Sequence, residues 1–289
     1  MEIILKNASF SIGILPDCGG SLSFFKWKEK DILRPCSAQE TEANNSALFV
    51  MAPYSSFIAN NCFTYFGITR KLSANSPVSK WAFHGDIWRS KAQVLLQSET
   101  QVQLKFIHTK ETGFPFPYTF YLTYTLDEQG LRITFKLENN SALPLPYGFG
   151  VHPFFLKDKT TKIQYESSYL WYRGGDPIFG RPYIVPKEFD FHEKKSLPQE
   201  NIDIGVSGWN GTATLDTQDY TVQIHTEGDF RHLILFSPKN KNFCCIEPTT
   251  HTPDAFNLAA KGIVGTGIQS LGPHETTQTI VQLYVKGQE

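Results

Sequence analysis

The run FPYTFYLTYTL (Phe116 to Leu126), the four residues DEQG (Asp127 to Gly130) and the run LRITFKLE (Leu131 to Glu138) decide the fold class. In the last of these, Leu131, Ile133, Phe135 and Leu137 alternate with Arg132, Thr134, Lys136 and Glu138, the period of two expected of a strand with one buried face. The first run is rich in aromatic and β-branched residues, and turn-forming residues join the two, so the stretch predicts an antiparallel hairpin. Working outward, similar short runs recur at Glu2 to Leu5, Ser21 to Trp27, Val102 to Ile107, Tyr220 to His225, His232 to Phe236, Phe243 to Glu247 and Thr276 to Val285. No amphipathic helix of three turns stands out, and 21 glycines and 17 prolines punctuate the runs. The pattern predicts an all-β chain of stacked antiparallel sheets, with residues 1–289 forming one domain.

The chain has 289 residues, 40% hydrophobic and 19% charged, enough to bury a large core and too apolar for disorder. Its 27 basic and 28 acidic residues leave a net charge of -1, so no summed positive field draws in nucleic acid or an anionic membrane surface. No apolar run approaches the roughly 18 residues of a membrane span, and the N-terminal MEIILKNASFSIGILP lacks the build of a signal peptide. Five cysteines, an odd number without CxxC spacing, read as reduced thiols. These features together predict a cytoplasmic protein. Exposed edge strands are compatible with a monomer or a weak homodimer. The Pro- and Gly-rich segment from Arg173 to Asp203 reads as a long loop, either a surface excursion or a wall of a site.

Three short segments join titratable groups to tight backbone features: Phe83-His84-Gly85-Asp86, Phe149-Gly150-Val151-His152-Pro153 and Cys245-Ile246-Glu247-Pro248. A residue before proline is pushed toward extended geometry, so His152 and Glu247 belong on strand-like backbone with a defined side-chain direction, as a general acid or base requires. Taken singly, each has a plainer reading, a packed histidine or an exposed strand-end carboxylate. Two histidines and a carboxylate also permit a metal site, but no HxH or HExxH spacing fixes two ligands on one element. No metal and no cofactor are therefore expected. The chain lacks a GxSxG elbow and a GxxxxGK[ST] loop, and GIVGTG (Gly262 to Gly267) has no following helix of a dinucleotide fold.

In their order along the chain these segments resemble the aldose 1-epimerases, the sugar mutarotases of the galactose mutarotase-like β-supersandwich fold. HGDIW (His84 to Trp88) looks like the family's HG motif with its downstream Trp, and GFGVHPFF (Gly148 to Phe155) like its G-x-HPYF element. IDIGVSGWNGTATL (Ile202 to Leu215) is similar to its D-x-x-F-x-G-W-x-G stretch, with Val206 at the Phe position, and EPTTHTPDAFN (Glu247 to Asn257) resembles its E-P-x-T-x-x-PDAFN ending. The resemblance implies cofactor-independent interconversion of the α and β anomers of a hexose by ring opening. It implies Glu247 as the base on the anomeric hydroxyl, His152 as the acid to the ring oxygen, His84 assisting them, and Asp203 binding sugar hydroxyls. Independently, a histidine with an ordinary pKa of about 6.5 and a glutamate at about 4.3 can divide acid and base roles near neutral pH.

One position departs from the family. Where P-x-x-N-R-I usually precedes the HG motif, with its Arg on the sugar, this chain reads PYSSFIANNCF (Pro53 to Phe63), with Ser56 and Phe57 at the Asn and Arg places. An apolar ring replaces a cationic fork. Phe57, Trp88 and Arg89 are added to Asp203 as expected substrate-binding residues, with Arg70 or Arg89 as the replacement cation. Two other readings stand beside the epimerase. One is a non-catalytic carbohydrate-binding or sugar-sensing protein on the same fold. The other is a relative acting on a phosphorylated or sulfated sugar, which requires Arg70, Arg89, Arg173 and Arg181 to converge.

Overall fold

The structure, a computed structural model, describes residues 1–111, 113–174 and 181–288. The hairpin is present as Tyr118–Leu126 paired antiparallel with Gly130–Asn139, Phe120 facing Leu137, Leu122 facing Phe135 and Tyr124 facing Ile133. Burial follows the sequence alternation: Leu131, Ile133, Phe135 and Leu137 are fully buried, while Arg132, Thr134, Lys136 and Glu138 remain partly exposed. The strand Thr276–Gly287 pairs with Gly130–Asn139 on one side and Tyr220–Thr226 on the other. These strands form the middle of a nine-stranded sheet. Burying one such aromatic side chain contributes roughly 1.5–3 kcal/mol, and the facing pairs make that contribution specific to this register.

A twelve-stranded sheet stacks on the first. Its middle runs through Leu48–Met51, Gly150–Pro153, Phe243–Thr249, His232–Ser237 and Ile202–Ser207, neighbours pairing antiparallel. Period-two alternation divides these strands between two environments. Leu48, Val50, Val151, Ile246, Leu233, Leu235 and Ile204 face the nine-stranded sheet and share one core with Phe120, Leu122 and Phe135. The intervening residues Phe49, Met51, His152, Cys245, Glu247, Ile234, Phe236 and Asp203 stand on the opposite face. Phe49, Met51 and Cys245 belong there to a second, smaller apolar cluster with Trp88, Phe154 and Phe243. His152, Asp203 and Glu247 therefore project from the centre of a sheet whose other face is the core.

The PDAFN ending has a structural task. The Asp254 carboxylate accepts the Ala59 N–H at 2.9 Å and the Asn257 side-chain N–H at 2.8 Å, and the Asp254 N–H donates to the Phe57 carbonyl at 3.1 Å. Asp254 precedes the short helix Ala255–Ala260 and ties it to the segment that carries Phe57. The expected loop from Arg173 to Asp203 is broken by short elements, Tyr183–Ile184, Lys187–Phe189 and Lys195–Ser196. Its residues 175–180 lie outside the described residues. All five cysteines are free, and no helix among the described residues is long and apolar enough to cross a membrane.

Candidate active site

A cavity of about 360 Å³ opens over the outer face of the twelve-stranded sheet, within the range typical of small-molecule sites. His84, His152, Asp203, Glu247 and Phe57 all line it, so five segments remote in sequence converge there. Trp88 and Arg89 do not line it. Trp88 is fully buried behind the wall, against Phe49 and His84, and its indole N–H donates to the Gly85 carbonyl at 3.1 Å. Arg89 points to a separate depression on the other side of the HG turn and donates to the Asn75 carbonyl.

His152 and Glu247 stand on adjacent strands, with His152 Nε2 3.4 Å from Glu247 Oε1. The imidazole packs on Phe49 at 4.5 Å and Phe154 at 4.6 Å between ring centroids, which fixes its plane. Burial, and secondarily the positive charge of Arg34, pushes the His152 pKa down to about 3. Burial, and secondarily the Asp203 carboxylate, raises Glu247 well above the ordinary carboxylate range. Both shifts favour the neutral forms, so a proton shared by the pair is favoured on the carboxyl side of the contact. Asp203 is also raised by burial, offset by a hydrogen bond from the Tyr172 hydroxyl at 3.2 Å.

His84 sits in the left-handed region at φ 58°, followed by Gly85 at φ 70°. Gly85 is required there: a Cβ on it would lie 2.1 Å from the Ala52 carbonyl oxygen. The close approach lets His84 reach the cavity, where its Nδ1 accepts the Ser56 N–H at 3.0 Å and its own N–H donates to the Ser56 carbonyl at 2.7 Å. Accepting at Nδ1 leaves a neutral ring with its proton on Nε2, a donor toward the cavity. Burial first, and His152 second, hold its pKa well below the usual histidine value. A metal-like grouping exists, but it differs from the trio weighed from the sequence. His152, Cys245 and Glu247 place ligand atoms within 4.8 Å of one another, while burial raises the Cys245 thiol pKa and keeps it protonated.

Phe57 occupies the cavity wall with its ring 5.2 Å from Trp81 and 5.9 Å from Tyr172. Arg70, Arg89, Arg173 and Arg181 do not converge on the cavity. The cation that does line it is Arg34, which sequence reading missed because Leu33-Arg34-Pro35 belongs to no motif. Tyr172, Phe154 and Phe243 were missed as well. Tyr172 has one signal in the sequence, its place at the start of the Pro/Gly-rich segment that ends in Asp203.

With the sheet stack and this cavity in place, comparison with known proteins defines the class. Residues 1–284 match the aldose 1-epimerase family, and the chain belongs to it. The uncharacterized Escherichia coli K12 protein YphB is 25% identical over 292 residues, covering 98% of both chains. The crystal structure of the Escherichia coli K12 protein b2544 superposes with a TM-score of 0.91 at 25% identity, over 100% of this chain and 99% of that one. A galactose mutarotase-like protein of Clostridium acetobutylicum superposes with a TM-score of 0.85 at 20% identity, over 99% of this chain and 95% of that one. At that identity the second structure speaks for the fold alone.

Proposed function

We propose that the chain is a cofactor-independent aldose 1-epimerase that interconverts the anomers of a hexose through the Glu247–His152 pair. The observation that carries this reading is the contact between the two side chains, 3.4 Å apart on the wall of a monosaccharide-sized cavity. Ring opening moves one proton from the anomeric hydroxyl and delivers one to the ring oxygen, and reclosure reverses this. A pair with one proton and one vacancy performs both halves and is restored by the second. In this reading Glu247 takes the anomeric proton, His152 serves the ring oxygen, His84 donates from Nε2 to a sugar oxygen, and Asp203 with Tyr172 holds hydroxyls. Binding requires the pair to pass its proton from the carboxyl to the imidazole, a shift along an existing contact. Phe57, Phe83 and Phe154 present apolar faces to the C–H side of a pyranose.

Polarimetry of freshly dissolved α-glucose and α-galactose tests the reading, with wild type and Glu247→Gln at equal concentration in a weakly catalysing buffer. Faster decay of rotation with wild type, lost in the variant, is the expected result. The sensor reading draws on Phe57, which replaces a family Arg with a ring. Saturable sugar binding without acceleration of any anomer would favour it.

A further inference from the structure

We infer that Arg34 makes this cavity selective for an aldose carrying a single monoanionic substituent, such as a carboxylate or a sulfate ester. The inference rests on the proposed epimerase reading and names its substrate class.

Arg34 is a half-buried guanidinium with no carboxylate in contact, the Glu40 carboxylate acting on it only through space. Its Nη2 donates to the carbonyls of Asn44 and Ser46, each at 2.9 Å, and its plane lies over Phe154 at 3.9 Å and Phe243 at 4.7 Å. These contacts fix the group in position. No carboxylate stands within ion-pair distance of it among the described residues. Its Nε and Nη1 carry no hydrogen bond among the described residues, and Arg34 lines the cavity. A partly desolvated cation without an anion in direct contact is costly, and a donor edge free for a ligand is the shape that binds a two-oxygen anion side-on.

Position and count narrow the ligand. Arg34 and His152 line the same cavity and both pack on Phe154, 3.9 Å and 4.6 Å from its ring centroid, so in this inference one monosaccharide sets its ring oxygen at His152 and a substituent at Arg34. Asp203, hydrogen-bonded by Tyr172, also lines the cavity, and a carboxylate there disfavours an anion placed against it, which orients the sugar. Among the described residues Arg34 is the one Lys or Arg on the wall, with Val78, Phe236 and Phe243 also lining the cavity. One guanidinium in such surroundings balances a monoanion and leaves a phosphate dianion under-neutralised.

The test is anomer-exchange NMR with wild type on glucuronate, galacturonate and glucose 6-sulfate, beside glucose, galactose and glucose 6-phosphate. Expected is a kcat/KM for at least one monoanion about 30-fold above that of its neutral counterpart, and above glucose 6-phosphate. Agreement between uronates and sulfate ester marks charge as the determinant, and a preference for one identifies the source. Arg34→Gln is expected to lower kcat/KM for the monoanion about tenfold more than for the neutral sugar, through KM. A purely structural Arg34 would lower both alike, which overturns the inference, as does a wild-type preference for neutral sugars. Should Arg34→Gln fail to fold, wild type decides by salt: KM for the monoanion should rise severalfold between 0.05 and 0.5 M NaCl while that of glucose holds. An unmoved KM counts against the inference. If no sugar is turned over, the epimerase reading fails, and calorimetric binding of the same sugars still decides the role of Arg34.

Discussion

His152 Nε2 and Glu247 Oε1 meet at 3.4 Å because Gly150–Pro153 and Phe243–Thr249 are neighbouring antiparallel strands and both residues fall on the sheet's outer face. Each is followed by a proline, which holds the backbone extended where the side chain leaves it. Neither group gains its placement from a loop. Removing one side of the pair should therefore lower turnover without loosening the fold. Glu247→Gln keeps the shape and is expected to lower kcat by about 10²- to 10⁴-fold, with a Tm equal to or above that of wild type, since a buried acid is replaced by a neutral amide. Parallel polarimetry and thermal melts measure both.

The same contact sets a pH dependence. The active form of the pair holds one proton, gains a second as His152 protonates at about 3, and loses its last as Glu247 ionises well above the ordinary carboxylate range. The profile of kcat/KM should be a broad bell whose alkaline limb lies above the roughly 4.3 of a free glutamate, both limbs belonging to the pair. Stability falls together with activity on the acid side. The native His152 stays neutral where the unfolded histidine protonates, so its contribution is present above about 6.5 and is lost as pH falls toward 3. Glu247 acts with the other sign: its contribution is present below its unfolded pKa and is lost as pH rises through its raised native value. Initial rates from pH 3 to 9, with circular dichroism on the same samples, separate the limbs from unfolding.

Gly85→Ala probes the turn that delivers His84. The added Cβ would meet the Ala52 carbonyl oxygen at 2.1 Å in a backbone already at φ 70°, so strain and a forced shift add up to about 2–4 kcal/mol. Denaturant titration should show that loss. In the surviving native fraction kcat should fall, because the Ser56 bonds that aim His84 cannot be kept while the turn moves.

How much of this was legible beforehand depends on the physics that each feature obeys. The hairpin of Tyr118–Leu126 and Gly130–Asn139 was readable because alternation is local and burial follows it residue by residue. His152 and Glu247 were readable as extended backbone from the prolines that follow them. Their convergence with His84 and Asp203 was available only by resemblance, because it depends on strand order in a twelve-stranded sheet, which no local pattern encodes. Trp88 sits one shell too deep and Arg89 on the wrong side of its turn, since three residues of tight 3₁₀ turn (Ile87–Arg89) redirect side chains that linear spacing cannot. Arg34 was invisible: its role comes from two carbonyls and two rings contributed by other segments.

Phe57→Arg tests whether the missing family cation matters for neutral sugars. The ring lies 5.9 Å from Tyr172, whose hydroxyl bonds Asp203 at 3.2 Å, so an arginine at 57 extends toward a carboxyl now held above its usual range by burial. A guanidinium there would favour the ionised Asp203 and present further N–H donors at the end of the cavity where hydroxyls are held. The exchange forfeits the contact with Trp81 and about 1 kcal/mol of aromatic packing. The expected outcome is a KM for glucose or galactose lowered severalfold with kcat within about threefold, since the substitution touches binding and leaves the Glu247–His152 contact alone. A folded variant with a raised KM would show instead that Phe57 is itself the surface on which the sugar stacks, and that this chain replaced a cation with a platform rather than losing a contact.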